Sequence, residues 1–120
     1  MVVLVCGGRA YWNRNKVFEV LDAIHAETPI TKVVTGIAAG ADTLGYMWAA
    51  ANSIERPTYP ANWDKYGKSA GHIRNQEMLD CEPVDLVVAF PGGRGTSDMI
   101  RRATKKGIKV RVVEDSNVDM

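Results

Sequence analysis

The chain has 120 residues, 46% of them hydrophobic and 24% charged, with a formal net charge of +1. This length holds one hydrophobic core and no second domain, and the composition excludes a disordered or fibrous protein. The near-neutral charge argues against a nucleic-acid partner, so any anion recognition must come from arginines placed locally.

Residues 2–6 (VVLVC) form a short apolar run stopped by Gly7-Gly8, the pattern of a fully buried strand. From 13 to 26, Val17, Val20, Leu21 and Ile24 recur at helical spacing, and Thr28-Pro29 ends that helix. A second strand over 32–35 closes at Gly36, and 41–53, rich in alanine with Leu44, Met47 and Trp48, reads as a well-buried second helix. The segment 56–60 carries two prolines and predicts a weak edge strand, followed by a polar loop over 61–71. Ile73, Met78 and Leu79 mark a third helix. Residues 84–90 form the clearest strand, 96–106 a fourth helix stopped by Gly107, and 108–113 the last strand. The acidic tail, 114–120, is expected to fray.

Strict alternation of apolar strands with helices predicts an α/β, Rossmann-like three-layer sandwich. The expected sheet is parallel and five-stranded in the order 3-2-1-4-5, with helices on both faces, built by a single domain over 1–113. The two cysteines, Cys6 and Cys81, are unlinked and lack zinc-ligand spacing with a histidine, so no metal is expected. The longest apolar run is far below the ~20 residues that span a bilayer, and no signal-type segment opens the chain. The expected compartment is the cytoplasm, with no membrane partner.

In such a sheet, ligands bind outside the carboxyl ends of the strands. The glycines collect there: Gly7-Gly8-Arg9 after the first strand, Gly36 to Gly40-Ala41-Asp42 after the second, and Pro91-Gly92-Gly93-Arg94-Gly95-Thr96 after the fourth. Glycines before a helix let backbone N–H groups approach an anion, and the helix N-terminus adds favourable partial charge. Neither the P-loop nor the dinucleotide fingerprint is present, which disfavours classical ATP hydrolysis and NAD-dependent hydride transfer. Arg9, Arg74 and Arg94 are the candidates for phosphate contacts, because the guanidinium fork matches phosphate oxygens. Trp63 and Tyr66, aromatic residues in a polar loop, suggest a base-stacking platform or lid, with Trp12 and His72 as weaker instances. His25 is expected at the surface. Arg101, Arg102, Lys105 and Lys106 read as a solvated basic helix face.

Pro91-Gly92-Gly93-Arg94-Gly95-Thr96 resembles the PGGxGT signature of the SLOG superfamily, which includes the LOG phosphoribohydrolases and DNA-processing protein A. The stretch Thr35 to Asp42 resembles the SGxAxGxD element of DNA-processing protein A. Together with Trp63, Tyr66, Gly67, Ala70-Gly71 and Arg74-Asn75, the pattern is most similar to the small YspA/YpsA-related SLOG domains, over nearly the whole chain.

The resemblance implies nucleotide binding through Gly7, Gly8, Arg9, Gly36, Gly40, Ala41, Asp42, Trp63, Tyr66, Gly71, Arg74, Asn75 and the 91–96 loop, with no cofactor. It also implies a homo-oligomer paired through helices, for which Met47 and Trp48 on the second helix offer apolar surface, Trp48 being read as either core or a subunit interface. In the LOG enzymes an arginine and a glutamate cleave the N-glycosidic bond of a nucleoside 5′-monophosphate. Arg74 matches that arginine, whereas Met99 stands at the glutamate position and Asp98 is the neighbouring carboxylate. The resemblance therefore implies a ligand-binding or sensor module, with the hydrolase, using Arg74 and Asp98, as the alternative.

Overall fold

Val2–Cys6 forms strand β1 at the centre of the computed structural model, which describes residues 1–115. The chain continues through α1 (Arg14–Glu27), β2 (Lys32–Val34), α2 (Ala41–Ala51) and a short α3 (Trp63–Tyr66). After a 3-10 turn at Gly67–Ser69 come α4 (Ala70–Cys81), β3 (Leu86–Ala89), α5 (Arg94–Lys106) and β4 (Lys109–Val112). The sheet is parallel in the order β2-β1-β3-β4.

It has four strands and not the expected five. The segment 56–60 does run beside β2, but only as isolated parallel bridges, Lys32 to Glu55 and Thr35 to Thr58. The hydrogen bonds show why: Val33 N donates to Glu55 O, Thr35 N to Pro57 O, and Tyr59 N to Thr35 O. The remaining rung of this parallel zigzag would need a donor at position 57, and proline has no N–H. The relative order of the other strands matches the expectation.

Alternation along β1 divides the core. Val3 and Val5 face α1 and α2, packing with Leu21, Trp48 and Phe90. Leu4 and Cys6 face α4 and α5, packing with Met78, Leu79, Met99 and Ala103. Two apolar faces per strand account for the unbroken hydrophobic runs. Trp48 is fully buried and its Nε1 donates to Asp22 Oδ1 at 2.8 Å, so it belongs to the core, and only Met47 of the expected helix-surface pair is exposed. His25 is held rather than free at the surface: its ring meets Trp48 edge-on at 5.5 Å, and its Nδ1 accepts from Ile30 N.

Local chemistry sets the ends. Asn13 caps α1 by accepting from Lys16 N at 3.1 Å, and Gly107, at φ 82°, ends α5 in a left-handed turn. In the tail, Asp115 accepts from Tyr11 Oη and Asn13 Nδ2, both at 2.8 Å, so the chain is anchored up to this point. The expected fraying of 116–120 concerns residues outside the described ones. Among the described residues no helix is long and apolar enough to cross a membrane.

Candidate functional site

β1 is hydrogen-bonded to β2 on one side and β3 on the other, so the loops leaving β1 and β3 flank the point where the strand order reverses. They are pressed together. Gly8 N donates to Pro91 O at 2.8 Å, and a Cβ on Gly8 would lie 2.9 Å from that same oxygen. Gly40, at φ 81°, lets Ala41 N reach Gly8 O at 3.2 Å, where a side chain would collide with the Gly8 carbonyl. The space beside Gly92 is filled by the Thr96 hydroxyl. Most of these glycines therefore exist for close backbone packing. Gly93 and Gly95 differ: nothing lies within 4 Å of a Cβ built on either, and neither has a positive φ.

Both also line a cavity of about 340 Å³, bounded by the 6–9 loop, Ala38, Asp42, Trp63, Lys68, one face of α4 and residues 93–96. The α4 positions are 71, 72, 74, 75 and 78, the spacing of a single helical face. Its lining charges are Arg9, Lys68, Arg74 and Arg94 against one carboxylate, Asp42. A smaller cavity of about 240 Å³, bounded by Gly36 to Ala39 and Pro60-Ala61, shares Arg9, Ala38, Trp63 and Arg74 with it. The N-terminus of α5, with no side-chain cap at Gly93, opens onto the main cavity. The arrangement suits an anion.

Arg74 joins the two cavities. Its Nη1 donates to Gly36 O at 3.0 Å and to Tyr59 O at 3.4 Å, and its Nε to Asn75 Oδ1 at 3.2 Å. Burial lowers its pKa while Asp42 counteracts, and a guanidinium stays charged throughout. Asp42 accepts from Ala38 N at 3.3 Å and is 5% exposed. Burial pushes its pKa up to about 6, against the lowering pull of the Ala38 N–H and of Arg74. The Cys6 thiol is also pushed up by burial, which makes it inert although it lines the cavity. Across the mouth, the Arg9 guanidinium stands 5.3 Å from the Trp63 ring centroid, and Trp63 is 47% exposed.

Of the residues singled out in the sequence, Gly7, Gly8, Arg9, Asp42, Trp63, Gly71, Arg74, Asn75, Gly93, Arg94, Gly95 and Thr96 line the main cavity. Gly36 lines the smaller one. Gly40, Ala41, Pro91 and Gly92 support the walls through the packing just described. Tyr66 borders two outer depressions, where Lys65 covers its ring at 5.1 Å, and Trp12 is exposed away from the cavity lining. Both aromatics from the supposed loop start on structure that the sequence did not suggest: Asn62 caps α3 by accepting from Lys65 N.

Asp98 does not line the cavity. It is 1% exposed and its two oxygens take four donors: Arg101 Nη2 at 2.6 Å and His72 Nδ1 at 2.9 Å on Oδ1, Arg102 Nε at 2.8 Å and Asn75 Nδ2 at 3.0 Å on Oδ2. Burial alone would raise its pKa, but Arg102, Asn75 and His72 outweigh it and hold the carboxylate at about 2. Met99 is fully buried among Met78, Leu79 and Val87. The supposed solvated basic face is thus partly engaged: Arg101 and Arg102 serve Asp98, and Lys106 bonds Leu79 O and pairs with Asp80 at 3.6 Å. His72, a weaker candidate in the sequence, also lines the cavity, and Lys68 is a cavity residue that the polar stretch before α4 could have flagged.

Comparison with known proteins agrees with this architecture. The family described as YAcAr, the YspA, cpYpsA-related SLOG family, matches residues 1–66. The chain is 36% identical over 116 residues to the Gene 61 protein of Mycobacterium phage D29, spanning 90% of this chain and 92% of that one. It is similar in structure to DNA processing protein A (DprA) from Streptococcus pneumoniae, solved by X-ray crystallography, with a TM-score of 0.77 and 21% identity. That match covers 98% of this chain and 51% of the other, so the chain spans about half of that protein and the likeness concerns the fold.

Proposed function

Because the chain belongs to the YspA, cpYpsA-related SLOG family, we propose that it is a ligand-binding module that holds a nucleotide or nucleotide derivative in the cavity between β1, β3 and α4. The observation that carries this reading is the pair Gly93 and Gly95. Their missing side chains open space against no protein atom, directly at the uncapped start of α5 and beside Arg9, Arg74 and Arg94. Phosphate oxygens fit there, because the first N–H groups of a helix lack intrahelical partners and carry partial positive charge. Trp63, half exposed at the cavity mouth, offers a ring face for a base.

Binding without turnover is expected, since Met99 lies in the core and every acceptor position of Asp98 is filled. Isothermal titration with nucleoside mono-, di- and cyclic phosphates and ADP-ribose tests it, alongside mass spectrometry of any co-purified ligand. Absence of heat from the whole panel overturns the reading.

One observation favours a second reading, hydrolysis of the N-glycosidic bond of a nucleoside 5′-monophosphate. Asp42 lines the cavity near Arg74 with its pKa at about 6, in the range suited to proton transfer at neutral pH. In that reaction water adds at the sugar C1′, the bond to the base breaks, and the base leaves carrying a proton. Chromatography for free base after incubation with the monophosphates decides between the two, with Asp42→Asn as the control.

A further inference from the structure

Asp98 is tied to four donors, and one of them leads back to the cavity. His72 lies on the cavity face of α4 and its Nδ1 is 2.9 Å from Asp98 Oδ1. Half of the His72 side chain is exposed, and among the described residues no hydrogen bond reaches its Nε2. The other three donors to Asp98 come from Asn75, Arg101 and Arg102, which fix the carboxylate between α4 and α5.

Resting on the nucleotide reading above, we propose that His72 is a further ligand-contacting residue of this cavity. Its Nε2 accepts a hydrogen bond from a hydroxyl or amine of the nucleotide, and Asp98 is the positioning residue that fixes the ring. A neutral imidazole that donates from Nδ1 keeps the lone pair on Nε2, and a carboxylate on the Nδ1 side selects that tautomer. The division of labour in the cavity supports an acceptor. Arg9, Lys68, Arg74 and Arg94 are donors suited to phosphate, which leaves Asp42, His72 and the Thr96 hydroxyl as side-chain acceptors for the O–H and N–H groups of the sugar and base.

The chain has two histidines, and the other one supplies an internal standard. His25 Nδ1 accepts from Ile30 N at 2.9 Å, so His25 carries its proton on Nε2. A long-range proton–nitrogen NMR spectrum at alkaline pH is expected to show the two rings as opposite tautomers, with His72 losing its preference in Asp98→Ala, which removes the acceptor that an asparagine would keep. Titration with the tightest binder among the four common nucleoside 5′-monophosphates is expected to weaken about tenfold in His72→Leu, the loss of one hydrogen bond to the ligand. His72→Gln, which keeps an acceptor, should retain most of the affinity. Persistence of the effect with ribose 5-phosphate assigns the contact to the sugar; its disappearance assigns it to the base.

Should Asp98→Ala fail to fold, the wild-type tautomer and His72→Leu decide alone. Wild-type affinity in His72→Leu, or His72 in the same tautomer as His25, overturns this proposal and leaves the nucleotide reading standing. A wild type that binds no nucleotide removes both.

Discussion

Arg74 Nη1 donates to the Gly36 carbonyl at 3.0 Å, and the guanidinium occupies the space that any side chain at position 36 would need. A loop residue just after β2 and a helix residue 38 positions later thus share one volume. Gly36→Ala is expected to push the guanidinium out of both cavities. Overpacking of this kind costs about 1–3 kcal/mol in stability. Nucleotide affinity should fall at least tenfold, because the displaced group is a cavity cation. A thermal melt and a titration measure the two effects, and wild-type affinity in Gly36→Ala would show that Arg74 contributes nothing to binding.

Trp63 should report the ligand. Its ring is 47% exposed, while Trp48 is fully buried and Trp12 lies outside the residues lining the cavity. Binding is expected to change tryptophan emission, and Trp63→Leu to abolish that change and cost about 1–3 kcal/mol of affinity through lost stacking. An undiminished signal in Trp63→Leu would move the base elsewhere.

Much of this was legible from periodicity. The β1 and β3 runs are apolar on both faces because each is covered on both sides, and the glycine clusters fell at one edge because sequence order fixes which strand end each loop follows. Three things were not legible. The strand at 56–60 failed for want of one N–H at Pro57, a loss visible only once its partner and register are known. Asp98 looked available because it stands beside the hydrolases' glutamate position; its saturation by His72, Asn75, Arg101 and Arg102 depends on how α4 crosses α5. The glycines looked alike in sequence, yet Gly8, Gly36, Gly40 and Gly92 are spent on packing, and Gly93 and Gly95 are left open.

Asp42 gives the fold a stability that declines with rising pH. Its folded pKa, about 6, exceeds that of an unfolded aspartate near 3.9, so the native state binds the proton more tightly. The contribution is complete below about pH 4 and is lost as pH rises through 6, with a size of roughly 2–3 kcal/mol. Arg74 and Arg9 lower the value only in part. Urea unfolding at about pH 4 and about pH 8 should show the wild type losing stability relative to Asp42→Asn. Parallel behaviour of the two proteins would refute an Asp42 titration.

Asp98 has the opposite sign. Held at about 2 in the folded chain, it stabilises above the ordinary carboxylate range, and this is lost as pH falls from about 4 through 2. Asp98→Asn is expected to cost about 2 kcal/mol near neutrality, and the difference should shrink towards about pH 2. A deficit that stays constant with pH would point to packing rather than charge.

Gly95→Ala separates ligand space from packing space. Gly95 lies within α5, is exposed, and a Cβ there would meet nothing within 4 Å. Alanine at a helical position is favoured over glycine by roughly 0.5–1 kcal/mol, so the variant should melt at or above the wild-type temperature. The added methyl would nevertheless occupy the space at the start of α5 where a phosphate oxygen is expected, and affinity should fall by about tenfold or more, some 1.4 kcal/mol. Gly36→Ala loses both stability and affinity; Gly95→Ala should lose affinity alone. A Gly95→Ala protein that is more stable and binds as well as the wild type would exclude the α5 N-terminus as the phosphate seat, whatever else the cavity holds.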